Sequence, residues 1–548
     1  MTKIWLDEYK QWNIENTITL PDEKTSLLDF WDNSFNKFQK RKAFIFSDKS
    51  FSFAEIDLYS RKVAAFLQNL GLEKGTRVAI MMPNIIQYPI ISIAVIRAGY
   101  ILVNVNPLYT ARELKYQLND SGAKVLFILE QFLPVYDAIK EQVLVEQVIA
   151  TTMNELLVEE SLKEDKKLTV SQNKYSFKQV LLEVNHQDYI RPQLILNDTA
   201  LLQYTGGTTG VSKGAELTHK NIVANLLQNN VVLKCYFGDR DAYEDEIAIC
   251  ALPLYHIFGF TVCLLHSALN KGYTTVLVHN PRDLDALVYC FEKYRPTVFP
   301  AVNTLFNALL NHEGFNKLDH SRLEITTGGG MAILKTTADG WEKLTGSVIR
   351  EGYGLSETSP VATFNPPISN FFSGTIGIPV PSTDIAILDD EGNQLPLGES
   401  GEIAIRGPQV MKGYWNRPEE TKAVMTVDGF FRTGDIGFMN EKGYTKIIDR
   451  KKDMILVSGF NVFPNEIEAV LAQHPKILEV AVVGVADEKS GEVPKAFIVK
   501  KDSSLSIEEI QTYAKENLTG YKQPRHIQFI NELPKSTVGK ILRKELKV

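Results

Sequence analysis

Short runs of β-branched and apolar residues recur along the first half of the chain, separated by segments with helical spacing. The runs fall at residues 77–82, 100–105, 124–129, 200–204, 247–252 and 274–278. Strands that alternate with helices are joined by crossovers, so this order predicts an α/β fold with largely parallel sheets. Beyond about residue 371 the texture changes to strands punctuated by turns. Asp390-Glu391-Gly392 and the Gly398 to Gly401 stretch mark hairpin loops of a β-rich subdomain. From residue 449 a small α+β unit is predicted. It has a helix over 465–472, strands at 479–485 and 495–499, and a helix opened by Ser506 and Glu509 with Ile507, Ile510 and Leu518 on its apolar face. The division predicted is a large domain over 1–448, a hinge over 449–454 and a C-terminal domain over 455–548.

The 548 residues carry 59 Lys and Arg against 66 Asp and Glu, a net charge of −7. That balance argues against a nucleic-acid partner and requires local groups to hold any anionic ligand. Cys235, Cys250, Cys263 and Cys290 are widely spaced without a C-x-x-C pair, which fits reduced thiols in the cytoplasm. The N-terminus lacks a run of signal-peptide length, and the most apolar stretch, 78–105, is broken by Pro83, Asn84, Gln87, Pro89 and Arg97. The chain is expected to be soluble, with at most a reversible contact at the inner face of the membrane. Assembly as a homodimer is left open.

The densest local signal is Thr205-Gly206-Gly207-Thr208-Thr209-Gly210, followed by Lys213-Gly214 and a helix with Ile222/Leu226 and Val223/Leu227 four apart. Glycines let backbone N–H groups approach an anion, threonines add hydroxyl donors and Lys213 adds positive charge, so the segment suits phosphates. It is not a Walker A loop, because Val211 and Ser212 separate Gly210 from Lys213. Six further segments follow: LPLYHIFG at 252–259, GGGMA at 328–332, EGYGLSET at 351–358, RTGDIG at 432–437, DRKKDMILVSGFNVFPNEIE at 449–468 and PKSTVGKILRKEL at 534–546.

In this order the seven segments resemble the adenylate-forming superfamily of acyl-CoA synthetases, firefly-type luciferases and peptide-synthetase adenylation domains. The stretch 428–453 is similar to the signature of its bacterial long-chain fatty acid–CoA ligases. The resemblance implies conversion of a fatty acid, ATP and coenzyme A, with Mg²⁺, into acyl-CoA, AMP and pyrophosphate. An ionised carboxylate is already nucleophilic, so its attack on the α-phosphorus needs charge neutralisation and no general base.

Residue roles follow from the same resemblance. Thr205, Gly206, Gly207, Thr208, Thr209, Gly210 and Lys213 would hold the β- and γ-phosphates, Thr358 the α-phosphate and Glu357 the Mg²⁺. Tyr353, between Gly352 and Gly354, would pack on adenine, with Gly328, Gly329 and Gly330 lining the same pocket; Asp435 and Arg450 would bind the ribose. Lys540 would bridge the carboxylate and the α-phosphate. Rotation about Lys452 would then withdraw it and present Ser458, Gly459 and Phe460 to coenzyme A. His256 would neighbour the acyl carboxylate, although a core histidine fits the sequence equally well. The acyl tunnel would run between Tyr255, Phe260 as a gate, Val302 and the three glycines, while Leu305 and Leu309 suit plain core. Three alternatives stay open: a ligase for medium-chain or aryl acids, a fatty acyl-AMP ligase that loads a carrier protein, and a silent acyl-binding protein.

Overall fold

The computed structural model describes residues 3–157, 174–205, 212–237, 245–367, 372–487, 489–536 and 539–547. Two large sheets form the body of the molecule. The first has eight strands, in the order Gly413–Tyr414, Lys213–Thr218, Thr199–Thr205, Ile101–Val105, Arg77–Met81, Val125–Leu129, Gln147–Thr151 and Lys174–Ser176. From Thr199–Thr205 onward every pairing is parallel. The second has nine strands. Its parallel centre consists of Lys42–Phe46, Thr274–Leu277, Ile247–Cys250, Val298–Ala301, Ile325–Gly328 and Ile349–Gly354. Helices cover both sheets, so central strands such as Ile101–Val105 and Val125–Leu129 are buried on both faces. Continuous apolar runs are the sequence mark of that burial.

All six predicted strand runs of the first half are strands. Helix starts are fixed by reciprocal caps, as at Ser52 with Glu55 and Thr110 with Glu113. The phosphate-loop region departs from expectation in one respect. A second strand, Lys213–Thr218, pairs antiparallel with Thr199–Thr205 before the helix His219–Phe237 begins. Lys213 therefore stands on a strand opposite Thr205 and not at a helix N-terminus.

The β-rich region is an antiparallel sheet of Asp384–Leu388, Gly401–Arg406, Phe431–Met439 and Thr445–Arg450. A last sheet begins at Ile455–Val457 and contains the long pair Ile477–Asp487 and Gly491–Lys500, with Pro464–Leu471 and Ile507–Asn517 packed on it. Ser506 caps the latter helix by accepting the Glu509 N–H. Ile510 is buried there, but Ile507 is exposed, because it sits in the first turn beyond the core's edge. The four cysteines are free. Among the described residues no helix is long and apolar enough to cross a membrane.

Candidate active site

The two large sheets, the antiparallel sheet and the C-terminal segment meet around a cavity of about 900 Å³. Its polar half collects strand ends. Arg450 is on the wall, while Asp435, opposite it in the adjacent strand, is buried and does not itself line the cavity, its Oδ1 standing 3.5 Å from Arg450 Nε. The Tyr353 hydroxyl donates to Asp435 Oδ2 at 2.5 Å, which holds the carboxylate from a second side. Gly354 permits this packing, since a Cβ there would collide with the Pro360 carbonyl. Gly330 takes φ +76°, a left-handed conformation that favours glycine, and Gly328 and Gly329 continue the same wall.

Thr205 and Lys213 line the cavity. The Lys213 ammonium pairs with Glu420 and lies 5.1 Å from the centre of the Tyr414 ring. Gly206, Gly207, Thr208, Thr209 and Gly210 lie outside the described residues. Glu357 is buried on the wall and accepts from the Tyr414 hydroxyl at 2.8 Å. Burial pushes its carboxyl above the ordinary range, and the Tyr414 hydrogen bond opposes that rise. Among the described residues no cluster of three or more His, Cys, Asp or Glu side chains forms a metal cage. Glu357 thus offers one carboxylate, which fits Mg²⁺, an ion that takes one or two carboxylates and completes its shell with phosphate and water.

Thr358 does not face the cavity. Its hydroxyl accepts from the Leu355 N–H at 2.9 Å and donates to the Pro360 carbonyl, and the side chain is wholly buried. Of the two hydroxyl residues in this turn, the one on the cavity wall is Ser356, two positions earlier, which the sequence reading missed. Neighbouring hydroxyls in the tight turn Ser356–Thr358 point to opposite sides, and residue type alone does not distinguish them.

Lys540 reaches the cavity from the C-terminal segment, where it joins His256, Arg450 and Lys452. The Gly539 carbonyl accepts from the Thr304 hydroxyl at 3.3 Å, a direct tie to the large domain. Burial, and then the charge of Arg450, push the Lys540 ammonium down to about 7, while Asp435 pulls the other way. Lys452 is pushed down to about 8 by burial and then by Arg450. Burial, aided by Lys540, lowers His256 to about 4, so its imidazole is neutral at pH 7. Ser458, Gly459 and Phe460 are not on the cavity wall. Phe460 is 55% exposed and stacks on Tyr521 at 4.8 Å. In this arrangement the cavity holds the lysine and not the Ser458 segment.

The apolar half runs from Tyr255 and Val302, both on the wall as expected, toward Phe258, Val262, Val232 and Leu233. Phe260 is not a gate: it is fully buried in the main core and does not line the cavity. The reason is local winding. Residues 259–270 form a π-helix, in which Lys271 donates to the His266 carbonyl five residues back. The wider turn rotates Val262 and His266 onto the wall. Leu305 and Leu309 pack in the core, as expected for plain core residues. The opposite wall comes from the helix His219–Phe237, whose Asn229, Val232, Leu233 and Tyr236 recur at spacings of three and four. That spacing was visible in the sequence.

Residues 31–415 match the family model described as AMP-binding enzyme, and residues 466–540 match its C-terminal domain. A long-chain-fatty-acid–CoA ligase of Yersinia pestis is 48% identical over all of this chain and 98% of its own length. The ATP-bound structure of MatB from Rhodopseudomonas palustris is 28% identical, with a TM-score of 0.83 over 95% of this chain and 98% of that one. An anthranilate CoA ligase, AuaEII, solved with anthranoyl-AMP, is 26% identical, with a TM-score of 0.84 over 96% and 97%. With two family models matched in order and a full-length relative at nearly half identity, the chain belongs to the AMP-binding enzyme family.

Proposed function

We propose that this protein is a long-chain fatty acyl-CoA synthetase, which forms an acyl-adenylate from a fatty acid and ATP and then transfers the acyl group to coenzyme A. The observation that carries the reading is one continuous cavity with Lys540, Arg450 and Glu357 at its polar end and an apolar wall beyond His256. The full-length likeness to the Yersinia pestis enzyme supports the chain-length class.

The fatty carboxylate enters ionised and attacks the α-phosphorus, forming a C–O–P link as pyrophosphate leaves. Lys540 and Arg450 offset the negative charge of the crowded centre, and neutral His256 donates to a carboxylate oxygen without adding charge. Ser356 hydrogen-bonds the α-phosphate, Asp435 the ribose, and the Tyr353 ring backs the adenine. Thr205, Lys213 and the glycine-threonine loop hold the outer phosphates. Glu357 holds Mg²⁺, which when bound neutralises phosphate charge. Rotation about Lys452, within a hinge over 449–454, then withdraws Lys540 and brings Ser458, Gly459 and Phe460 to the cavity. There the coenzyme A sulfur bonds the acyl carbon, AMP leaves with the bonding pair, and the thiol proton passes to solvent. Fatty acids partition into bilayers, so a reversible contact with the inner face of the membrane belongs to the same reading. Recovery only in the soluble fraction at both low and high salt would remove it.

The test is AMP release with and without coenzyme A, over acids from C4 to C18 plus benzoate and cinnamate. Coenzyme-A-dependent turnover that peaks at long chains is expected. A peak at short or aromatic acids, or adenylate formation that free coenzyme A does not discharge, refutes the assignment.

A further inference from the structure

The helix Pro464–Leu471, the first of the C-terminal domain, opens without a cap of its own. Its N-cap residue is Phe463, whose side chain makes no capping hydrogen bond, and Pro464 carries no N–H, so Asn465 presents the first donor of the helix. The acceptor comes from the other side of the hinge. Asp449 Oδ2 accepts the Asn465 N–H at 2.8 Å, while Oδ1 accepts the Arg450 N–H at 2.7 Å. The Asn465 side chain returns the contact by donating to the Ile448 carbonyl at 3.3 Å. Asp449 stands in the strand Thr445–Arg450, in register with Ile436 of the antiparallel sheet, and its side chain is wholly buried. Burial pushes the carboxyl up to about 6, and the charge of Arg543, whose Nη1 lies 3.9 Å from Oδ1, with the Asn465 and Arg450 N–H groups, holds it from rising further. A buried acid on the large-domain side is thus kept ionised in part by groups of the C-terminal domain.

Rotation about Lys452 leaves Asp449 on its strand and carries Asn465 and Arg543 away, so the helix loses its acceptor and the carboxylate its cation. The tie therefore belongs to the arrangement that has Lys540 in the cavity. Arg543 also donates to Asn465 Oδ1 at 2.6 Å and to Glu468 Oε2 at 2.7 Å, and it follows Lys540 by three residues. The network that meets Asp449 therefore also fixes the segment that carries the lysine. We propose that Asp449 is a positioning residue for adenylation: by capping the helix Pro464–Leu471 from across the hinge, it holds the C-terminal domain where Lys540 reaches the reacting centre, and it has no part in thioester formation. The inference rests on the two-step reading above and deepens it.

The experiment measures the two half-reactions of the full-length enzyme separately: pyrophosphate release from ATP and palmitate without coenzyme A, as kcat/KM for ATP, and coenzyme-A-dependent AMP release from added palmitoyl-adenylate. Asp449→Ala is expected to lower the first by about tenfold and to leave the second within about twofold. The deficit should narrow in kcat, because bound substrates themselves favour the lysine-in arrangement. Asp449→Asn, whose amide oxygen still accepts the Asn465 N–H, should keep part of the first half-reaction. An equal loss in both half-reactions, as a merely weakened fold gives, overturns the proposal, and so does adenylation that is unchanged in Asp449→Ala but lost in Lys540→Ala. No palmitate-dependent pyrophosphate release from the unmodified enzyme overturns the fatty-acid reading as well. Should Asp449→Ala fail to fold, the split between the half-reactions in Asp449→Asn decides.

Discussion

Adenylation by this enzyme should have an alkaline limb set by Lys540. The lysine is held down to about 7 by burial and then by Arg450, and only its protonated form can offset charge at the α-phosphorus. The sign follows directly: raising the pH through about 7 removes the useful proton, so activity falls. With a free-enzyme value near 7, the protonated fraction drops from half at pH 7 to about 3% at pH 8.5, a loss of roughly fifteenfold. The assay is pyrophosphate release without coenzyme A, as kcat/KM from pH 6 to 9.5, because that ratio reports the free enzyme. Bound ATP and carboxylate are anions and raise the lysine's affinity for its proton, so the limb in kcat should lie at higher pH. Lys540→Arg carries a permanent charge and should lower the rate yet flatten the limb. Lys452, held down to about 8, is the control: Lys452→Arg should keep the limb. His256, at about 4, does not titrate in this range. A flat profile in the unmodified enzyme, or a limb that persists in Lys540→Arg, refutes the assignment.

Glu357→Gln should reduce adenylation by about a hundredfold, whereas Tyr414→Phe, which removes only the 2.8 Å hydrogen bond to Glu357, should raise the half-saturating Mg²⁺ concentration by roughly fivefold. Ser356→Ala should cost about tenfold in adenylation with no change in melting temperature. Thr358→Val should do the reverse, costing about 1 kcal/mol of stability in urea unfolding by removing the buried hydroxyl that accepts from the Leu355 N–H and donates to the Pro360 carbonyl. Arg543→Met strips charge from a network in which Arg543 binds Glu468 at 2.7 Å and Asp453 at 3.4 Å; a loss of about 3–5 kcal/mol is expected in the unfolding transition of the C-terminal domain. Lys540→Met should hold the two domains together without ligands more than the unmodified protein does, read as a distance between probes on residues 427 and 460; an unchanged distance would count against the lysine's burial cost.

The parallel strands were legible because burial on both faces writes an unbroken apolar run, and helix starts because a Ser or Thr and an acid three residues later satisfy each other's backbone N–H. The strand Lys213–Thr218 was hidden because the segment also carries a phosphate-loop composition. Strand register sets Asp435 opposite Arg450, whereas Tyr353 reaches Asp435 from the other sheet by its side-chain hydrogen bond, a tertiary contact that only the motif resemblance could suggest. Phe260 and Thr358 were misplaced for one shared reason: side-chain direction depends on local winding, and a π-helix or a single tight turn changes that direction without changing composition.

The same lysine links chemistry to domain movement. Withdrawn into water, Lys540 would titrate at its ordinary 10.5; in the cleft it titrates at about 7. Moving the group there without ligands therefore costs about 4 kcal/mol at pH 7.5, where it mostly sheds its proton, an upper figure because the side chain keeps partial access to the cavity. The polar ties across this contact are modest, such as Thr304 to the Gly539 carbonyl at 3.3 Å and Asn307 to the Leu478 carbonyl at 3.5 Å. They offset only part of that cost, at about 1 kcal/mol each. The triphosphate and the carboxylate supply the missing negative charge, so substrates favour the lysine-in arrangement. Once pyrophosphate leaves, most of that charge goes with it, and the buried ammonium again disfavours closure. On the proposed cycle, loss of the first product would then release the domain when the Ser458 segment is needed in its place, and the direction of the cycle would follow from the cost of burying one charge.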